Sequence, residues 1–143
     1  MDPAELARRE GLPDGRVRAL GRLSDADLAT MLDRATVLVM PSRAEGFGLP
    51  VLEAMAAGTA VVCSTDPALV EVGGDAVVTA PVGDAPALGR ALASVAGDEA
   101  LRAEMVERGR RRAADHTWDA AATALWELYR SVAGARSTRS ASR

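Results

Sequence analysis

The stretch Pro41-Ser42-Arg43-Ala44-Glu45-Gly46-Phe47-Gly48-Leu49-Pro50-Val51-Leu52-Glu53-Ala54-Met55-Ala56-Ala57-Gly58 decides the fold. It opens with turn chemistry and passes two glycines that flank a phenylalanine. A helix starts at Leu49 or Pro50, since proline suits a first helical turn, and stops at Gly58, which suits the left-handed position after a last one. An apolar run, Val37 to Met40, leads in, and another, Ala60 to Cys63, leads out. The unit is strand, loop, helix, strand of parallel-sheet type, so the helix begins at the carboxyl end of a strand.

First-turn N–H groups have no intrahelical partner and carry the positive end of the helix dipole, which suits an anion. Gly46 and Gly48 lack a Cβ and let a ligand approach the backbone closely. Glu45 and Glu53 bracket the unit. Carboxylates are poor phosphate ligands and good acceptors for the hydroxyls of a sugar or ribose. The plainer alternative makes the glycines turn residues and both carboxylates surface charges.

Residues Arg43 to Gly58, with the following strand Ala60 to Cys63, resemble the donor-site signature of the family-four (group 1) retaining glycosyltransferases of GT-B fold. The likeness runs from about Leu6 to Val132. It implies a nucleotide-sugar site in which Glu45 is the catalytic-site carboxylate near the donor sugar hydroxyls. Gly46, Phe47, Gly48 and Leu49 would lie along sugar and phosphate, and Glu53 on the ribose. No metal or other cofactor is implied; a nucleoside-diphosphate sugar is the donor substrate.

The 143 residues support one domain with a core, and the hydrophobic content of 48% is ordinary. Aromatic residues make up only 3%, so aliphatic side chains and alanine must build that core. All 17 basic residues are arginine, and the net charge of −3 with a pI near 5.2 gives no global pull toward nucleic acid. The single cysteine, Cys63, sits in an apolar run as a small hydrophobe. No run is long enough to span a bilayer and Met1 opens no signal-peptide pattern, so a cytoplasmic place is the default.

In chain order, a short helix is expected over Pro3 to Arg9 and a short strand over Val17 to Leu20. Ser24 caps a helix bearing Leu28, Met31, Leu32 and Ala35, followed by a strand over Thr36 to Met40. After Cys63, Thr65 and Asp66 lie where the resemblance borders the donor site and could touch sugar or phosphate, but they better suit capping a short helix, Ala68 to Val72, ended by Gly73-Gly74. Ala76 to Thr79 is the next strand. Asp84 and Asp98 cap two further helices, to about Ala96 and Ala114, the first packing Leu88, Ala91, Leu92 and Val95. Arg108 to Arg112 reads as a solvated face, or as a surface drawn to anionic lipid. His116 precedes the cap Thr117 of a last helix to Val132, whose stripe Trp118, Ala122, Leu125, Tyr129 and Val132 reads as core. Residues 134–143 read as a disordered Ser/Arg-rich tail after a domain of residues 1–133.

The fold class expected is α/β: an incomplete Rossmann-like parallel sheet flanked by helices, the nucleotide-sugar-binding GT-B C-terminal domain in part. The resemblance places an N-terminal GT-B half, and an Arg and Lys clamp on the donor diphosphate, outside this chain. Gly21-Arg22 echoes the clamp, but no lysine follows, so Arg22 reads as a loop residue. With the central strands of a doubly wound order absent, either Val17 to Leu20 pairs with Thr36 to Met40, or the latter is an unpaired edge prone to association.

The function implied is the donor-binding portion of a retaining glycosyltransferase, inactive on its own. The partners implied are a nucleotide-sugar donor and a carbohydrate or lipid-linked acceptor, with peripheral contact at the inner membrane face and no nucleic acid. The Ala68 to Val78 region leans toward a mannosyl donor. Two alternatives stay open: a non-catalytic nucleotide-sugar-binding module or remnant, and another GT-B enzyme such as a nucleotide-sugar epimerase.

Overall fold

The computed structural model describes residues 3–140. The chain divides into two compact units, the first ending at Met31 and the second beginning at Leu32. In the first unit, helix α1 (Pro3–Arg9) is followed by loop and turn, and helix α2 (Asp25–Arg34) begins. Ser24 caps α2 reciprocally with Asp27: its Oγ accepts from the Asp27 amide at 3.2 Å and donates to the Asp27 carboxylate at 2.6 Å. The strand expected over Val17 to Leu20 does not form. That stretch is irregular, because a strand needs a neighbouring ladder for its N–H and C=O groups and this segment has none among the described residues.

The second unit is built on three parallel strands in the order β1 (Val37–Met40), β2 (Ala60–Ser64), β3 (Val77–Ala80). Val37 to Met40 stands opposite Ala60 to Cys63, and Val61 to Ser64 opposite Val77 to Ala80. β2 is the central strand and is buried along its whole length. The outer side of β1 meets no further strand among the described residues.

Helices α3 (Leu49–Ala57), α4 (Pro67–Gly73), α5 (Ala85–Gly97) and α6 (Glu99–Asp115) cover the sheet on two faces, with a 3-10 turn (Gly74–Ala76) before β3. Alternation along β2 sorts the core. Val61 and Cys63 pack with Val51, Met55, Leu69 and Val72, whereas Ala60 and Val62 pack with Val95 and Met105. A strand buried on both faces reads as an unbroken apolar run, as 60–63 does. Cys63 is fully buried, and burial pushes its thiol pKa up to about 11.

Two side-chain ties hold the turns. Thr59, buried beneath the α3–β2 connection, donates its hydroxyl to the Leu32 carbonyl. Asp66 accepts from the amides of Ala68 at 3.0 Å and Leu69 at 3.4 Å, so it caps α4 as its position suggests.

The arginine run of α6 is not simply a solvated face. Arg112 donates to the carbonyls of Glu71 and Val72 at the end of α4, and Arg108 donates to the Asp75 carbonyl at 3.2 Å. Both therefore satisfy carbonyls that a helix end leaves without intrahelical partners. Arg111 pairs with Glu107 one turn away at 2.8 Å on the exposed side. Gly109, in the middle of the run, is buried where α6 crosses α3: a Cβ there would lie 3.1 Å from Cγ and 3.3 Å from Cβ of Met55.

Helix α7 spans Trp118–Ser140, through most of the stretch expected as a disordered tail, while residues 141–143 lie outside the described residues. Its stripe is not core. Trp118, Leu125, Trp126, Tyr129 and Val132 are all exposed, because no other described element packs over them.

Candidate functional site

Three loops leave the carboxyl ends of the three strands, and each leads into the N-terminus of a helix: 41–48 into α3, 65–66 into α4, and 81–84 into α5. In an open parallel sheet this edge is where ligands bind. The loops are laced together. Ser64 Oγ, buried at the end of β2, donates to the Ser42 carbonyl at 2.6 Å, and the Thr65 amide donates to the Ala80 carbonyl at 2.8 Å.

The helix ends differ in how they are satisfied. Aspartate side chains cap α4, α5 and α6, and the Thr117 hydroxyl accepts from the Ala120 amide at the start of α7. α3 instead starts from Gly48, which offers no side-chain cap, and Pro50 stands in its first turn. Pro50 has no N–H and the Val51 amide donates to the Gly48 carbonyl at 2.9 Å, so among the described residues the Leu49 amide is the first-turn N–H left to solvent or to a ligand.

The two glycines of the loop play different parts. Gly48 has φ 91°, and a Cβ there would stand 3.0 Å from Cδ2 of the fully buried Leu69. The turn and the approach of α4 both require glycine. Gly46 has ordinary backbone, and a Cβ would meet nothing within 4 Å. Nothing in the fold demands glycine at 46, and the space beside it is open.

Glu45 is half-buried, and one of its oxygens, Oε1, accepts from the Ser42 hydroxyl at 2.6 Å. Glu53 is exposed on α3. Two hollows include residues of this region. The smaller, about 170 Å³, lies among Pro41, Arg43, Ser64, Pro81, Gly83 and Asp84 at the strand ends. The larger, about 740 Å³ and mostly apolar, runs from Phe47, Leu49 and Glu53 to His116, Trp118 and Ala121 at the start of α7. Phe47 and Leu49 are about half-exposed there, at 52% and 48%. His116 Nδ1 lies 2.9 Å from the Arg112 carbonyl, which accepts from it in the Nδ1–H tautomer. Among the described residues no group of three or more His, Cys, Asp or Glu is arranged to hold a metal ion.

All six residues singled out in the sequence, Glu45 to Leu49 and Glu53, thus fall on one loop and the first turns of one helix. Phe47, Leu49 and Glu53 share the larger hollow, whereas Glu45 is held by Ser42. Sequence reasoning gave no role to Ser42 or Ser64, and quoted Arg43 only as the first residue of the signature. The three-residue spacing from Ser42 to Glu45 was the available signal for the first; Arg43 lies in the same loop, and Ser64 reaches the site only through the pairing of another strand.

Comparison with known proteins places the chain in a family. The family model for glycosyl transferases group 1 matches residues 4–112. O-antigen chain mannosyltransferase B of Escherichia coli is 37% identical over 120 residues, covering 84% of this chain and 32% of that protein. Phosphatidyl-myo-inositol mannosyltransferase of Mycolicibacterium smegmatis is 37% identical over 137 residues, covering 94% of this chain and 36% of that one. Sucrose-phosphate synthase from Thermosynechococcus elongatus superposes with a TM-score of 0.81 at 34% identity, over 92% of this chain and 33% of that structure. The chain thus spans about a third of the length of these relatives, and the α/β sheet is that of a Rossmann-like GT-B domain. The chain belongs to the glycosyl transferases of group 1.

Proposed function

We propose that this chain is the donor-binding portion of a retaining glycosyltransferase, which moves a sugar from a nucleoside-diphosphate sugar to an acceptor hydroxyl. The observation that carries the reading is the uncapped N-terminus of α3, set behind a two-glycine loop at the carboxyl edge of the sheet and flanked by Glu45 and Glu53. The Leu49 amide, at the positive end of the α3 dipole, would meet the diphosphate and the negative charge that grows on it as the glycosidic bond breaks. Glu53 would accept from ribose hydroxyls and Glu45 from hydroxyls of the donor sugar. The open space beside Gly46 suits close backbone approach to the ligand, with Phe47, Gly48 and Leu49 bordering it.

Catalysis needs donor, acceptor and charge stabilisation held in one geometry, and the groups described here serve the donor. The chain is proposed to bind donor without completing transfer, which would require the N-terminal GT-B half. A mannosyl donor is favoured by two of the named relatives being mannosyltransferases. The acceptor proposed is a carbohydrate or a lipid-linked one, at the inner membrane face. Three of the four arginines in the α6 run lend that membrane contact little, since Arg108 and Arg112 are engaged with carbonyls and Arg111 with Glu107.

Titration of the chain with GDP-mannose, UDP-glucose and ADP-glucose tests the proposal. One of these should bind, with Glu45→Ala and Glu53→Gln each weakening it about tenfold while the fold stays intact. No binding by the wild-type chain, or unchanged affinity in both variants, refutes the site. Joining the chain to the remaining two-thirds of a relative and assaying for glycoside product separates transfer from binding alone.

A further inference from the structure

We infer that Ser42 is a positioning residue for Glu45, held in turn by Ser64, and that the pair sets the affinity for the sugar moiety of the donor. The inference rests on the donor-site reading above and deepens it.

Glu45 sits in a loop, and a free glutamate on a loop samples several rotamers at an entropic cost when it binds. Here Oε1 is fixed by the Ser42 hydroxyl at 2.6 Å, within the short range of hydrogen bonds to a carboxylate. Ser42 is itself fixed, because its carbonyl accepts from Ser64 Oγ at 2.6 Å. Ser64 is 3% exposed, ends the central strand, and accepts in addition from the Asp66 amide at 3.4 Å. Ser64, at the buried end of the central strand, thus holds the Ser42 backbone, and the Ser42 hydroxyl holds Glu45 in the loop.

The direction of donation has a chemical consequence. Ser64 donates to the Ser42 backbone carbonyl and the Ser42 hydroxyl donates to Glu45, so the carboxylate receives one donor at Oε1 and retains Oε2 as an acceptor. Sugar hydroxyls are donors, and they would find an oriented acceptor that need not be ordered on binding. The diphosphate, proposed to rest at the Leu49 amide that opens α3, makes no use of these serine bonds. The two parts of the ligand should therefore respond differently when they are cut.

The test uses the full chain and calorimetric titration of the nucleoside-diphosphate sugar that binds, beside its parent nucleoside diphosphate. The ratio of the two affinities isolates the sugar. Ser42→Ala should lower this ratio about three- to tenfold while changing the nucleoside-diphosphate affinity less than twofold. Ser42→Thr, which keeps the hydroxyl, should restore the ratio. Ser64→Ala should lower it in the same sense, and circular dichroism establishes that each variant is folded. An unchanged ratio in folded Ser42→Ala, beside a lowered ratio in Glu45→Ala, overturns the positioning role and leaves the donor site standing. An equal loss for both ligands shows a merely structural serine and also overturns it. Absence of binding by the wild-type chain defeats the donor-site reading and this inference with it.

Discussion

Replacing Gly48 by alanine tests whether the loop geometry is set by the fold or by whatever binds there. The residue has φ 91°, where an L side chain pushes Cβ against the following carbonyl at a cost of about 1–2 kcal/mol. A Cβ would also stand 3.0 Å from Cδ2 of Leu69, which is fully buried and has little room to retreat. Adding a modest overpacking cost gives about 2 kcal/mol in all. For a chain of this size that corresponds to a fall in Tm of about 4–8 °C. Gly46→Ala is the internal control: its backbone is ordinary and the space is open, so the variant should melt at or slightly above the wild type, through lower unfolded-state entropy. Thermal denaturation followed by circular dichroism at 222 nm measures both. If Gly48→Ala melts with the wild type, or Gly46→Ala falls as far as Gly48→Ala, the division of labour between the glycines is wrong. Ligand titration should show the reverse order, with folded Gly46→Ala losing nucleotide-sugar affinity.

Three further outcomes are expected. Gly109→Val should destabilise by about 1–3 kcal/mol in urea denaturation, since its side chain would enter the α3–α6 crossing against Met55. Arg112→Ala should cost about 1–2 kcal/mol by removing the donors to the Glu71 and Val72 carbonyls, whereas Arg111→Ala on the exposed face should stay within about 0.5 kcal/mol. The Cys63 thiol, raised from 9.0 to about 11 by burial, contributes stability that is fully present below about pH 9 and is lost as pH rises toward 11. Relative to Cys63→Ala, the wild-type chain should therefore lose about 2–3 kcal/mol over that interval, measured by urea denaturation at each pH.

The strands and most helix limits were legible because local signals agreed. Val37 to Met40 and Ala60 to Cys63 are apolar runs between breakers, and Ser24, Asp66, Asp84, Asp98 and Thr117 stand where caps stand. Val17 to Leu20 misled, since a four-residue apolar pattern interrupted by Arg18 carries no information on whether a ladder is available. The stripe on α7 has the periodicity of a core face, and periodicity does not say whether anything packs against it. The arginines of α6 showed charge; their work on distant carbonyls came from the crossing of helices. A glycine inside so charged a helix, Gly109, was the one local hint of that crossing. At the candidate site, Glu45 and Glu53 were singled out by the resemblance of Arg43 to Gly58 to a donor-site signature. The different duties of Gly46 and Gly48, and the bond from Ser64 to Ser42, depend on neighbours remote in sequence.

The exposed face of α7 also decides what light can report about this protein. The chain has two tryptophans and one tyrosine, and Trp118, Trp126 and Tyr129 all lie on that helix, exposed at 84%, 63% and 62%. The sheet and its core hold none of these chromophores, so ultraviolet emission should begin near the wavelength of solvated indole and change little as the core melts. A blue shift, with protection from a soluble quencher, would instead mark the moment something covers α7. The same three rings that leave the core optically silent make the helix an intrinsic reporter of assembly.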